Sequence, residues 1–287
     1  MSTIIVGYDT SRPAHQALRW AARQGRLRGW PVRVVQCWPE SVIVGPWLID
    51  ELGTEEVARK QLDTTVSQIA ALEDGVDIDA TIVGGRPVPD LVAASEKAGM
   101  VVVGGRGIGG FADLLLGSVV HRLARRVACP LVVVRGDAAA TPDEVVVGVD
   151  GSNASRAALA WAADEARLLD VPLMPLMAWS FLMPHGEAGP TSFRPEVGAV
   201  TARRELEGIV GDVLSEHDGL QVGHAVLCDR PAPALLASAG RNGLLVVGSH
   251  GSSGWSRFDV GSVTQQVLQH ARATVVIVPD RAAASRG

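Results

Sequence analysis

The feature that most limits what this chain can fold into is one spacing of glycines that occurs twice. Val101–Val119, VVVGGRGIGGFADLLLGSV, reads G-x-x-G-x₉-G-[S/T] on Gly104, Gly107, Gly117 and Ser118. Val246–Val263, VVGSHGSSGWSRFDVGSV, reads it again on Gly248, Gly251, Gly261 and Ser262. Each copy follows a short apolar run and ends where a helical pattern begins. Other stretches recur at the same offset of about 140 residues, the mark of an internal duplication rather than a solenoid. VGYDTS returns as VGVDGS, with Asp150 in the place of Asp9; Pro31–Trp38 returns as Pro172–Trp179, and GGRP as CDRP.

Within each copy, strand-like and helix-like stretches alternate. In the first, β-branched Thr3–Tyr8 precedes a helical pattern that Thr10 or Ser11 can cap and Gly29 stops. Pro31–Trp38 is the second strand, Thr54–Leu72 a helix, and Val76–Val83 a strand with one exposed face. Helix Pro87–Ala98, buried strand Met100–Gly104, helix Ser118–Val127 and strand Pro130–Val134 complete the unit. Such alternation predicts a parallel sheet covered by helices on both faces, and right-handed crossovers leave few topologies. The expected fold is α/β: two tandem domains, 1–135 and 144–280, each a five-stranded parallel sheet in order 3-2-1-4-5. RGDAAATPD reads as the linker between them. In that order strands one and four leave a crevice at their carboxyl ends, where Asp9 and Gly104 sit.

Glycines at such a place suit an anion. Backbone N–H groups can form a concave shell of donors where no Cβ blocks the approach, and a helix start adds unsatisfied N–H groups. Each copy therefore reads as a phosphate cradle, and the chain as holding two nucleotide sites. Ser118 and Ser262 either cap their helices or bond a phosphate oxygen. Asp9 and Asp150 either accept hydrogen bonds from a ribose or an adenine amino group, or cap the following helix. Arg106 and His250 share one place in the two loops, as phosphate contacts or as solvated side chains. Arg86 and Arg230 read as structural or gating residues, and Trp20 and Trp161 as core. The loops at 38–52 and 180–196 could cover a base.

Other phosphate-binding patterns fail. The P-loop needs a Gly-Lys pair, and the chain has none; its two lysines are Lys60 and Lys97. A dinucleotide fingerprint is missing after the first strand, and Gly105-x-Gly107-x-x-Gly110 fits only by its letters. The net charge of −5 argues against a nucleic-acid binder. Cys37, Cys129 and Cys228 form no C-x-x-C pair and fit thiols in a reducing cytoplasm. The N-terminus lacks a signal-peptide pattern, and no apolar run is long enough to span a bilayer.

VGYDTS with VGGRGIGGFADLLLGSV, VGVDGS with VGSHGSSGWSRFDVGSV, and the flanking runs ACPLVVV and RATVVIVP resemble the universal stress protein family, tandem-domain type, over essentially the whole chain. The resemblance implies Rossmann-like domains and ATP, two per chain, with Mg2+ carried on the phosphates. Asp9 and Asp150 would lie near ribose and base, and the backbone at Cys37 and Ala178 would face adenine. Gly104, Gly107, Gly117 and Ser118 would hold phosphates, with Gly7, Val103, Arg106, Gly109 and Val119 also at the ATP. Their counterparts are Gly248, Gly251, Gly261 and Ser262, with Gly148, Val247, His250 and Val263. It also implies association through the last strand, between the halves or in a homodimer. The departures are His250, where an arginine-like residue is more usual, and a longer second-half loop around Pro184–Pro195.

The leading expectation is an ATP-binding regulator of stress response or growth. One alternative is a slow ATP hydrolase or nucleotidyl-transfer enzyme, though no lysine or evident base stands near the cradle. The other is an AMP or cyclic AMP module, against which the intact phosphate loops argue.

Overall fold

The inner strands of both halves are apolar without a break, as strands covered on two faces must be. The structure, a computed structural model, describes residues 2–38, 55–107, 116–137, 139–179, 195–217, 219–251 and 260–280. Gly109, the loops at 39–54 and 180–194, and the tail beyond Asp280 lie outside the described residues.

The chain divides into two units, Met1–Ala139 and Ala140–Gly287. The first runs β1 (Ile4–Tyr8), α1 (Arg12–Arg28), β2 (Val32–Trp38), α2 (Glu55–Leu72), β3 (Ile78–Gly84), α3 (Pro87–Ser95), β4 (Met100–Gly104), α4 (Ser118–Leu123) and β5 (Leu131–Val134). The second runs β6 (Val145–Gly148), α5 (Asn153–Leu169), β7 (Leu173–Trp179), α6 (Pro195–Leu214), β8 (Ala225–Cys228), α7 (Pro231–Ala239), β9 (Leu244–Gly248), α8 (Ser262–His270) and β10 (Thr274–Val278).

In the first unit the order is β3-β2-β1-β4-β5, with every pair parallel. In the second it is β8-β7-β6-β9-β10, again all parallel, so each unit has the 3-2-1-4-5 order. The end of β1 shows how the two faces are used. Successive residues of a strand point to opposite faces. A Cβ on Gly7 would meet Leu91 of α3 at 2.9 Å, whereas the next residue, Tyr8, bonds His15 of α1 through its hydroxyl at 3.0 Å. Helix α1 also packs on α2, and α3 on α4, so each sheet face carries one pair. Met100, Val101, Val102, Leu131, Val132 and Val133 are fully buried between the layers. Strand β3, at the edge, has the expected half-exposed pattern.

Local sequence explains the helix ends. Ser11 caps α1, its Oγ accepting from the Ala14 N–H at 3.2 Å, and Pro13 sits in the first turn. Ser152 caps α5 in the same way at 3.1 Å. Gly29 ends α1 in the left-handed conformation at φ 64°. Helix α4 stops at Leu123 rather than Val127, because the Arg126 N–H reaches Leu123 O across only three residues and tightens the turn. Trp20 is buried in the core as expected; Trp161 is only half-buried.

Candidate functional site

Both sheets reverse their winding between the first and fourth strands, β1/β4 and β6/β9. A crevice opens there in each unit, with a cavity of about 450 Å3 in the first and about 270 Å3 in the second. Small-molecule sites run to roughly 300–1,000 Å3, so the first lies inside that range and the second just below it.

The N-terminal crevice is walled by Gly7 and Asp9 from the end of β1, Cys37 from β2, and Val103 and Gly104 from β4. Arg106 and Gly107 follow from the loop, and Gly117, Ser118 and Val119 from the start of α4. The C-terminal crevice repeats this with Gly148 and Asp150, Ala178, then Val247 and Gly248. His250 and Gly251 supply its loop, and Gly261, Ser262 and Val263 the start of α8. The fold thus brings together the described residues that the sequence and the resemblance assign to the nucleotide, while Arg86 and Arg230 are not among the lining residues. Pro87 and Leu91 of α3, and Pro231 and Leu235 of α7, also line the crevices. Their signal in the sequence is the repeated Arg-Pro that opens each of these helices.

Backbone bonds fold each glycine loop back on its strand. The Gly117 N–H donates to Gly105 O at 3.2 Å, and the Gly261 N–H to Ser249 O at 2.9 Å. Gly105 and Ser249 in turn donate to the last strand of their own sheet, at Val134 O and Val278 O. The helix starts are thereby pinned beside the strand tips. Gly117 and Gly261 are the N-caps and carry no side-chain cap bond. Ser118 and Ser262 are therefore first helical residues, not caps, and the N–H groups of their turns have no intrahelical acceptor.

The aspartates are not helix caps either, since Ser11 and Ser152 fill that role. Asp9 Oδ1 accepts from the Ser11 N–H at 3.1 Å. Asp150 Oδ1 accepts from the Ser152 N–H at 3.1 Å and from its hydroxyl at 2.6 Å. These turns hold a carboxylate at each strand tip.

The two crevices differ in their polar walls. Cys37 Sγ lies 3.7 Å from Asp90 Oδ2; burial, then the Asp90 charge, pushes the thiol up to about 11. Ala178 and Ala234 occupy the matching places in the second half. Arg135, behind the first loop, is pulled down to about 10, by burial and then by the Arg106 charge. Pro279 stands in its place in the second half. Among the described residues no cluster of His, Cys, Asp and Glu could hold a metal ion, and no helix is long and apolar enough to cross a membrane.

Fold and crevices together define a tandem α/β protein of the doubly wound, Rossmann-like type, with a ligand-sized recess at the switch point of each unit. The family model described as the universal stress protein family matches residues 1–135 and again 142–279, and the chain belongs to that family. Universal stress protein Rv2005c of Mycobacterium tuberculosis is 32% identical over 293 residues, covering 96% of each chain. Universal stress protein Rv1996 of the same organism is 34% identical over 304 residues, covering 96% of this chain and 94% of that one. The crystal structure of a universal stress protein from Archaeoglobus fulgidus shares the fold, with a TM-score of 0.70 at 19% identity over 96% of each chain.

Proposed function

We propose that each crevice holds one adenine nucleotide by its phosphates, ATP foremost, and that the protein acts as a nucleotide-dependent regulator of stress response or growth. The observation that carries this reading is the pair Gly117 and Gly261. Their φ values are −70° and −54°, ordinary for any residue. Among the described residues a Cβ would come no nearer than 3.6 Å to any atom at Gly117 and 3.4 Å at Gly261, which is ordinary contact. Neither conformation nor packing against the described residues demands glycine at these positions. What glycine does supply is bare backbone on the crevice wall, at a helix start whose amides lack partners, and that suits a phosphate chain.

In this reading Asp9 and Asp150 accept from the ribose hydroxyls. The backbone at Cys37 and Ala178 meets the adenine edge, and the Ser118 and Ser262 hydroxyls reach phosphate oxygens. A Mg2+ ion bound with the nucleotide is carried by the phosphates. Native mass spectrometry of the full-length protein titrated with ATP tests the reading. Two nucleotides per chain are expected; no uptake at all overturns it. A phosphate-release assay separates the regulator from an enzyme, since many turnovers per minute would require a positioned base for water.

A further inference from the structure

Between the first two glycines of the motif the two loops differ at both positions: Gly105-Arg106 in the first unit is Ser249-His250 in the second. Ser249 is buried, at 5% exposure. Its Oγ lies 2.9 Å from His250 Nδ1. His250 lines the crevice, and its Nε2 is buried with no hydrogen-bond partner among the described residues.

A neutral imidazole carries one proton, on Nδ1 or on Nε2, and the partner of one nitrogen selects the state of the other. A serine hydroxyl that donates to Nδ1 leaves the proton on Nε2. Nε2–H is then a donor that needs an acceptor, because buried polar groups are as a rule hydrogen-bonded. Arginine needs no such arrangement, since all its N–H groups are donors at any working pH. The unit with arginine has glycine at the preceding position, and the unit with histidine has a hydroxyl there. The hydroxyl thus accompanies the one side chain of the two whose donor must be set.

We propose that Ser249 is a positioning residue that fixes His250 as an Nε2–H donor to an anionic oxygen of the ligand, so that the C-terminal crevice grips phosphate by a different chemistry from the N-terminal one. This rests on the nucleotide reading above. It makes the two sites non-equivalent: loss of the Ser249 hydroxyl weakens only the C-terminal site, and only while residue 250 is histidine.

The test is an ATP titration of the full-length protein, resolved into its two sites, for the wild type, Ser249→Ala, Ser249→Thr, His250→Arg and the double variant Ser249→Ala/His250→Arg. Ser249→Ala should weaken the C-terminal site about tenfold, the scale of one hydrogen bond to a charged group. Ser249→Thr, which keeps the hydroxyl, should restore it. In the His250→Arg background Ser249→Ala should have no effect. A purely structural serine would cost affinity in both backgrounds, and that result overturns the proposal. Long-range ¹H–¹⁵N spectra of ¹⁵N-histidine-labelled wild-type protein, with the His250 signals identified from His250→Gln, read the tautomer directly. Nε2 protonated in the ATP complex is expected; a bare Nε2 refutes the assignment whatever the variants do. If the wild type binds no ATP, the nucleotide reading falls first. If it binds two and Ser249→Ala changes nothing, only this inference falls.

Discussion

Gly107 lies so close to Asp9 that a Cβ on the glycine would collide with the carboxylate Oδ2. Gly251 stands to Asp150 in the same way, with its Cβ position 2.7 Å from Oδ2. The middle glycine of each motif therefore sets where the strand-tip carboxylate rests. Gly107→Ala should push Asp9 off its place and strain the turn to Ser11. We expect ATP affinity at the N-terminal site to fall about tenfold or more, the order of a lost charged hydrogen bond, with the C-terminal site unchanged. Calorimetric titration of the two-site protein measures both; equal losses at both sites would count against a local seat for Asp9.

The outer glycines do unlike things, and this gives a paired prediction. A Cβ on Gly104 would meet the backbone carbonyl carbon of Pro13 at 2.6 Å, and one on Gly248 that of Ala154 at 2.8 Å. These glycines let α1 and α5 rest on the strand tips, so Gly104→Ala is an overpacking change. It should cost about 1–3 kcal/mol of stability in denaturant unfolding. At Gly117 a Cβ meets only ordinary van der Waals contacts among the described residues, so Gly117→Trp is not an overpacking change at its Cβ. It should leave the unfolding curve nearly unchanged while removing ATP from the N-terminal crevice. Retained affinity in Gly117→Trp would defeat the idea that bare backbone is the phosphate contact.

Thr10 and Gly151 occupy the same turn, one residue beyond the strand-tip aspartates, at φ 64° and 80°. A β-branched residue at positive φ is strained, whereas glycine is not. Thr10→Gly should stabilise the first unit by about 0.5–1 kcal/mol, the relieved strain exceeding the extra entropy glycine gives the unfolded chain. Gly151→Thr should destabilise the second unit by about 1–2 kcal/mol. Thermal unfolding of the two variants, with shifts of opposite sign, checks the pair.

Much of this was readable from one dimension because the duplication supplies its own control. Strand order, the switch point and the lining by Asp9 and Gly117 follow from alternation, periodicity and spacing, whereas the place of Cys37 was implied only by the family resemblance. The separate reasons for the glycines did not follow. Gly104 and Gly117 are identical letters, and only the approach of Pro13 to one of them divides packing from access. The capping role of Ser118 looked as good as that of Ser11 until the backbone placed Gly117, not Ser118, at the cap. Leu91 and Leu235 enter the crevices because α3 and α7 lie across the strand tips, a tertiary fact that a helical pattern does not carry. Ser249 was hidden for a similar reason: its meaning lies in the 2.9 Å to His250, not in its type.

The thiol of Cys37 offers a probe confined to the first crevice. Burial and the neighbouring Asp90 carboxylate both disfavour the thiolate and push it up to about 11. At pH 8 only about one Cys37 in a thousand is then ionised, against roughly a quarter of ordinary thiols. Modification by a disulfide reagent, followed by peptide mass spectrometry, should therefore be far slower at Cys37 than in a free cysteine peptide, and should accelerate up to about pH 11. For an acid raised in the folded state, the associated stability is present below the unfolded pKa and is lost as pH rises through the folded value. Unfolding experiments should accordingly show stability falling between about pH 8.5, where an ordinary thiol titrates, and about 11, with a smaller fall in Cys37→Ala. Asp90→Asn removes the facing charge and should speed modification at pH 8. ATP should slow modification in the wild type, because the same thiol lines the crevice. Rapid labelling of Cys37 at neutral pH, indifferent to Asp90 and to nucleotide, would show that the thiol is neither buried by this wall nor part of the site.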